Sequence, residues 1–144
     1  MIESAIIKGG SSIDDRGSVS FVNGFFFENV KRFYAVKNFS PNTVRAFHGH
    51  MKEEKYVYVA SGTALIAVAD IVEGQLRNPS KFVLTEYHPQ ILYVPAMHAN
   101  GFKTLAPRTR ILFFSTATLE ESMHDDIRFN WATFGENFWE VANR

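Results

Sequence analysis

Short apolar stretches rich in Val, Ile, Phe, Tyr and Thr run from the start of the chain to Ser115, separated by Gly and Pro. Residue types of this kind suit a pleated, half-buried surface. The pattern predicts strands over Ala5–Lys8, Ser18–Val22, Lys31–Lys37, Thr43–Gly49 and Lys55–Ala60. It predicts further strands over Thr63–Ala69, Phe82–Glu86, Ile91–Val94, Asn100–Thr104 and Thr109–Ser115. Ser61-Gly62 stands between two strong runs and reads as a hairpin turn. His88-Pro89-Gln90 and Ala106-Pro107-Arg108 make similar breaks. Many short strands with turn punctuation imply a sandwich or barrel rather than alternating β-α units. Beyond Ser115 the pattern changes. Thr118-Leu-Glu-Glu121 has the form of a capping box that opens a helical turn. The aromatic residues Phe134, Phe138 and Trp139 close the chain, ready to pack back on the sheet or on a second subunit.

Length and charge narrow the class. A chain of 144 residues reads as one domain, here taken as 1–144, with enough material for a core without staples. Fifteen basic side chains balance fifteen acidic ones, so no basic face is expected for nucleic acid. No apolar run approaches the ~20 residues of a membrane helix. The opening MIESAIIKGG lacks the basic and apolar regions of a signal peptide, so a cytoplasmic location is expected. The chain has no cysteine, which removes thiolate ligands and thiol nucleophiles.

Two polar clusters interrupt the apolar runs. The first is Arg45-Ala-Phe-His48-Gly-His50-Met-Lys-Glu53-Glu54-Lys55. Side chains alternate along a strand, so His48 and His50 share one face. Such a pair can bind a metal, supply a base near neutral pH, or simply form surface hydrogen bonds. The second is Pro95-Ala-Met-His98-Ala-Asn100-Gly-Phe102, where a new strand would carry His98, Asn100 and Phe102 on one face. An ordinary exposed turn is the plainer reading of that segment.

Together the clusters resemble the two motifs of a cupin: His48, His50, Glu54 and Gly62 for the first, Pro95 with Asn100 in place of the usual histidine for the second. The resemblance implies an all-β cupin jelly roll, a double-stranded β-helix, with a short C-terminal extension. If a metal were held, its ligands would be His48, His50 and Glu54. Asn100 in the remaining ligand position disfavours one, and no cofactor is expected.

The chain further resembles the sugar-nucleotide cupins that act on dTDP-4-keto-6-deoxyhexoses, over about Asp15 to Trp139. Arg45-Ala-Phe-His48, Lys55 and Pro95-Ala-Met-His98-Ala-Asn100-Gly101-Phe102 are similar to segments of the dTDP-4-dehydrorhamnose 3,5-epimerases, as are Asp15-Arg16-Gly17 and Ile127-Arg-Phe-Asn130-Trp131. Arg45, His48 and His50, with Val30–Tyr34 and Leu119–Arg128, are similar to the dTDP-4-keto-6-deoxyglucose 3,4-ketoisomerases. The epimerases carry a tyrosine acid after the second motif. Here Phe113 and Phe114 stand there, and Trp131 replaces the aspartate that pairs with the epimerase histidine.

The resemblance implies an isomerase or epimerase of deoxysugar biosynthesis with a dTDP-linked keto sugar as ligand, and a homodimer. A base removes the proton beside the C4 ketone, and the resulting enediolate needs a cation or hydrogen-bond donors. His48 is the expected base, His50 a relay, and Lys55 the oxyanion partner. Arg45, Tyr58, Tyr93, His98 and Asn100 are expected to contact substrate. Strict alternation puts Arg45 opposite His48, so a shared pocket requires a bulge. Tyr34, Tyr56, Tyr58 and Tyr93 stand as replacement acids or as plain barrel residues. A metal-dependent cupin and a non-catalytic sugar-binding cupin are the competing readings.

Overall fold

The computed structural model of the protein describes residues 2–144. Twelve strands and one short helix follow in order: β1 (Ala5–Lys8), β2 (Gly10–Asp14), β3 (Gly17–Phe21), β4 (Arg32–Val36), β5 (Val44–His50), β6 (Lys55–Ser61), β7 (Thr63–Val72), β8 (Gln75–Thr85), β9 (Gln90–Val94), β10 (His98–Thr104), β11 (Arg110–Ser115), α1 (Leu119–Met123) and β12 (Ile127–Arg128). A 3-10 turn over Glu136–Trp139 comes last. One five-stranded sheet runs β1-β9-β6-β11-β4, and a second runs β12-β5-β10-β7-β8. Strands β2 and β3 form a separate two-stranded hairpin. All pairings are antiparallel.

The two sheets enclose a core of Val57, Val59, Ala64, Ile66, Val68, Leu84, Leu92, Val94, Phe102, Ile111 and Phe113. Period-2 alternation selects these positions. A second apolar layer lies on the outside of the β5-containing sheet. There Phe47, Leu65, Ala67, Ala69, Ile71 and Ala99 meet Trp139, with Phe129, Phe134 and Phe138 alongside. Strand β7 is therefore covered on both faces, which is why Thr63–Val72 reads as a nearly continuous apolar run. The aromatic tail packs back on the sheet, one of the two outcomes its composition predicts.

The capping box at Thr118 forms as the sequence predicts, but Ser61-Gly62 does not close a hairpin: β6 pairs with β9 and β11, β7 pairs with β8 and β10, and the turn carries the chain from one sheet to the other. The Thr118 side chain accepts from the Glu121 N–H, and the Glu121 carboxylate accepts from the Thr118 N–H. Three elements differ from expectation. The unread β2 pairs locally with β3 and is largely exposed. Strand β8 begins at Gln75, well before Phe82, because polar residues and Pro79 are tolerated along a sheet edge. The two-residue β12 pairs with Gly49 and His48 and brings Asp126 and Arg128 beside the first polar cluster. Among the described residues no helix is long and apolar enough to cross a membrane.

Candidate active site

Strand β5 supplies the centre of the site. Its register against β10 sets His50 opposite His98 and His48 opposite Asn100, then slips so that Arg45 faces Phe102. Ala46 and Phe47 together oppose Gly101, which is the bulge that strict alternation requires for Arg45 and His48 to share a side. Gly101 permits it: a Cβ there would stand 2.3 Å from the Ala46 Cβ. The result is a pocket of about 260 Å³ at one end of the inter-sheet space. His48, His50, Lys55, Asn100, Arg45, Arg32, Tyr34, Phe113, Asp126 and Arg128 line it.

The two histidines differ sharply. The His48 side chain is 40% exposed, and its Nδ1 has one distant acidic neighbour, Asp126 Oδ1 at 3.9 Å. Its pKa lies below the ordinary histidine value, first because burial disfavours the charged ring and next because Lys55 and Arg128 repel a second positive charge. His48 is thus a neutral ring facing the cavity. The His50 side chain is only 6% exposed and both nitrogens are engaged, Nε2 with Glu53 Oε2 at 2.9 Å and Nδ1 with the Asp125 carbonyl at 2.9 Å.

Glu53 is the hub behind the pocket. Its carboxylate is 1% exposed. It accepts from Ser115 Oγ at 2.5 Å, Arg32 Nη2 at 3.3 Å and Ser122 Oγ at 3.4 Å. Burial alone would raise its pKa, but the His50 and Ser115 hydrogen bonds and the Lys55 charge outweigh that and hold it down to about 2. Lys55 is buried, 4.0 Å from Glu53 Oε2, and Nζ donates to Asn100 Oδ1 at 3.4 Å. Burial lowers its pKa, Arg32 adds to this, and Glu53 opposes it. Tyr34 stacks on Phe113 with ring centroids 5.0 Å apart and planes 9° from parallel. Burial, aided by Glu53, pushes its hydroxyl well above the usual tyrosine pKa, so it stays protonated.

Of the expected site residues, His48, His50, Lys55, Asn100 and Arg45 come together. Four do not reach the pocket. Tyr58 and Tyr93 lie on the outer face of their sheet, because Lys55, Val57 and Val59 on β6, and Leu92 and Val94 on β9, take the inward positions. Tyr93 packs on Tyr56 with centroids 5.1 Å apart and bonds Glu54, and burial followed by that carboxylate pushes it up to about 12. His98 turns into a separate cavity, where Nε2 meets Asp70 Oδ1 at 3.0 Å and Nδ1 meets the Ala96 carbonyl at 2.8 Å. Glu54 lines an outer cavity with Glu28 and Lys31, so the set His48, His50 and Glu54 does not converge. Among the described residues no group of three or more His, Cys, Asp or Glu side chains is placed to hold a metal ion. Phe113 faces the pocket, while Phe114 packs outward on Phe25 and Phe27.

Arg32, Glu53, Asp126 and Arg128 join the site without having been singled out as site residues. Arg32 shares the parity of Tyr34 and Val36 on β4, a legible signal. Glu53 sits in the irregular link between β5 and β6, where no period distinguishes it from Glu54. Trp131 does not stand in for the missing aspartate. Its carbonyl accepts from Trp139 Nε1 at 3.1 Å, and Asp126 is the carboxylate beside His48.

With this geometry in hand, the chain matches the family model described as dTDP-4-dehydrorhamnose 3,5-epimerase over residues 14–142. A spore coat polysaccharide biosynthesis protein, SpsL of Bacillus subtilis (strain 168), is 27% identical over 104 residues, covering 68% of each chain. The fold resembles that of dTDP-4-dehydrorhamnose 3,5-epimerase from Bacillus anthracis str. Ames, solved with TDP and PPi bound, at a TM-score of 0.78 and 17% identity, over 98% of this chain and 87% of that one. It also resembles the TDP-quinovose 3,4-ketoisomerase WlaRB of Campylobacter jejuni at a TM-score of 0.69 and 22% identity, over 90% and 95% of the two chains. The architecture is that of an all-β cupin jelly roll.

Proposed function

From the premise that the chain belongs to the dTDP-4-dehydrorhamnose 3,5-epimerase family, a family of dTDP-sugar epimerases and ketoisomerases, we propose that it acts as one cupin domain on a dTDP-linked 4-keto-6-deoxyhexose. The observation that carries this reading is the neutral His48 ring, half-exposed in a pocket that Arg32, Arg45, Lys55 and Arg128 also line. The base needs a free lone pair and the diphosphate needs cations. Arg45 and Arg128 line the cavity, and Arg32 Nε is buried without a hydrogen-bond partner. These donors suit phosphate oxygens.

His48 takes the proton from the carbon beside the C4 ketone. The C–H electron pair becomes the C3–C4 double bond, and the ketone oxygen takes the negative charge. Lys55 Nζ, held by Asn100 and Glu53, meets that oxyanion. The enediolate then has two fates. If His48 returns the proton to C4 while the C3 hydroxyl passes its own to the C4 oxygen, the ketone moves to C3 with one base and a recycled proton. If a second group protonates C3 from the opposite face, the centre inverts. Tyr34 favours that second reading: it lies directly across from Phe113 in the β4–β11 register and keeps its proton.

Incubating the protein with dTDP-4-keto-6-deoxyglucose in deuterium oxide tests both. A ketone at C3, with deuterium at C4 only as far as the His48 proton exchanges with solvent before its return, marks ketoisomerisation. Deuterium at C3 with inverted configuration marks epimerisation. A protein that neither exchanges deuterium into any nucleotide-linked keto sugar nor converts one overturns the proposal.

A homodimer belongs to the same proposal. The β2–β3 hairpin stands apart from both sheets with Ile13 78% and Val19 65% exposed, and a lone two-stranded hairpin is marginal in water. Phe26, Phe27 and Phe33 are exposed as well, an apolar surface that a second copy would cover. The cytoplasmic location expected from the sequence goes with a nucleotide-sugar substrate.

A further inference from the structure

Glu53 is a charge buried behind the pocket, and the proposed reaction uses it only to hold Lys55. Its place is over-determined. The Asp125 carboxylate accepts the N–H groups of Met51 at 3.0 Å, Lys52 at 2.9 Å and Glu53 at 3.1 Å, pinning the turn that carries it. The same Asp125 offers its main-chain oxygen to His50 Nδ1. His50 is thereby clamped between a carbonyl on one nitrogen and the Glu53 carboxylate on the other. A carbonyl oxygen only accepts, so Nδ1 must carry a hydrogen. An ionised carboxylate also only accepts, so Nε2 must carry one too. A ring with N–H on both nitrogens has no lone pair to take a proton from carbon.

We infer that Glu53 is a positioning residue that locks His50 as a non-transferring imidazolium and leaves His48 as the single mobile base of the pocket. The consequence for His48 rests on the proposed proton-transfer chemistry; the state of His50 does not. Other charged groups around the ring fit this assignment. Asp125 Oδ2 lies 3.9 Å from Nδ1 and supports the positive charge. Lys55 and Arg32 oppose it from β6 and β4, but both are paired with Glu53. His48 neighbours it on its own strand, and Asp126 lies beside His48. His98, its partner across β10, is tied to Asp70. The low pKa of Glu53 agrees, since it keeps the carboxylate an acceptor at neutral pH.

Nitrogen-15 NMR of the imidazoles in the ligand-free protein at neutral pH reads this without any substrate. His50 is expected to show hydrogens on both nitrogens, and His48 on one. In Glu53→Gln, which keeps the shape and removes the charge, His50 is expected to fall to one N–H at the same pH. A wild-type His50 with a bare nitrogen overturns the inference even if the variant does not fold. So does a folded Glu53→Gln that keeps both hydrogens. Kinetics give a separate readout: kcat of Glu53→Gln should drop by about tenfold or more, because the His50 and Lys55 heads lose their anchor, with KM within about threefold. An unchanged kcat would count against the positioning role. Failure of wild type to turn over a keto sugar would instead count against the substrate reading and leave the NMR result standing.

Discussion

The two faces of strand β5 perform different work one residue apart. Facing inward, Arg45, His48 and His50 enter the pocket. Facing outward, Phe47 is 1% exposed and packs on Phe134 and Trp139, each with ring centroids 5.6 Å away. Gly49 shares that outer face and is filled by its neighbours: an added Cβ would lie 2.7 Å from Ile71 and 3.0 Å from Phe129. The outward face gains from hydrophobic burial, roughly 25 cal/mol per Å² of apolar surface. The inward face holds Glu53, Lys55 and His50 away from water, and each charge needs its partner to offset desolvation. Stability therefore resides chiefly on one side of the strand and the proposed chemistry on the other. The C-terminal aromatic segment makes this possible, because it covers the outer face without entering the pocket.

The largest expected effect separates the two faces by activity. His48→Asn removes the proposed base but keeps a polar group of similar size at a half-exposed position. Turnover of the keto sugar should fall by about 10²–10⁴-fold, while urea unfolding shifts by less than about 0.5 kcal/mol. A comparable loss of stability would mean that the inner face also carries the fold. The next effect runs the other way. Trp139 is 2% exposed, and Trp139→Ala empties the seal over Phe47, costing about 3–5 kcal/mol in urea unfolding. The fraction that remains folded should retain kcat within a few fold. Loss of turnover without loss of stability would break the comparison.

Much of this division was legible in the chain. Alternation, the Ser61-Gly62 turn and the doubly buried Thr63–Ala69 run delineate the sheets. His48, His50, Lys55 and Asn100 announced the pocket through their motif spacing. Arg45 was legible only with a bulge, and the bulge depends on a cross-strand contact between Ala46 and Gly101 that no local pattern encodes. Tyr58 and Tyr93 were misplaced although parity with Lys55 already turned Tyr58 outward, since residues 55, 57 and 59 share one face. Glu53 and Glu54 differ only in how the β5–β6 link is pinned by Asp125, a residue more than 70 positions away. Short-range periodicity does not reach that far. Strand β12 was unreadable for the same reason: two residues carry no period, and only its pairing with β5 defines it.

The smallest effect concerns the inner face alone and sharpens what its charges do. The proposed base, His48, can accept a proton only while neutral. Burial is the main cause of its lowered pKa, with Lys55 and Arg128 adding to it and Asp126 opposing. kcat/KM should accordingly rise with pH through a midpoint below the ordinary histidine value of about 6.5, then level off. Lys55→Met removes one of the repelling charges, so protonating His48 becomes easier. The midpoint must move up, toward but not past the ordinary value, because burial remains; a shift of less than about one pH unit is expected. The same variant removes the proposed oxyanion partner and should lower kcat across the whole profile. A midpoint that stays fixed or moves down would show that Lys55 does not reach His48 electrostatically. The pocket's cations would then serve ligand binding alone, leaving burial to tune the base.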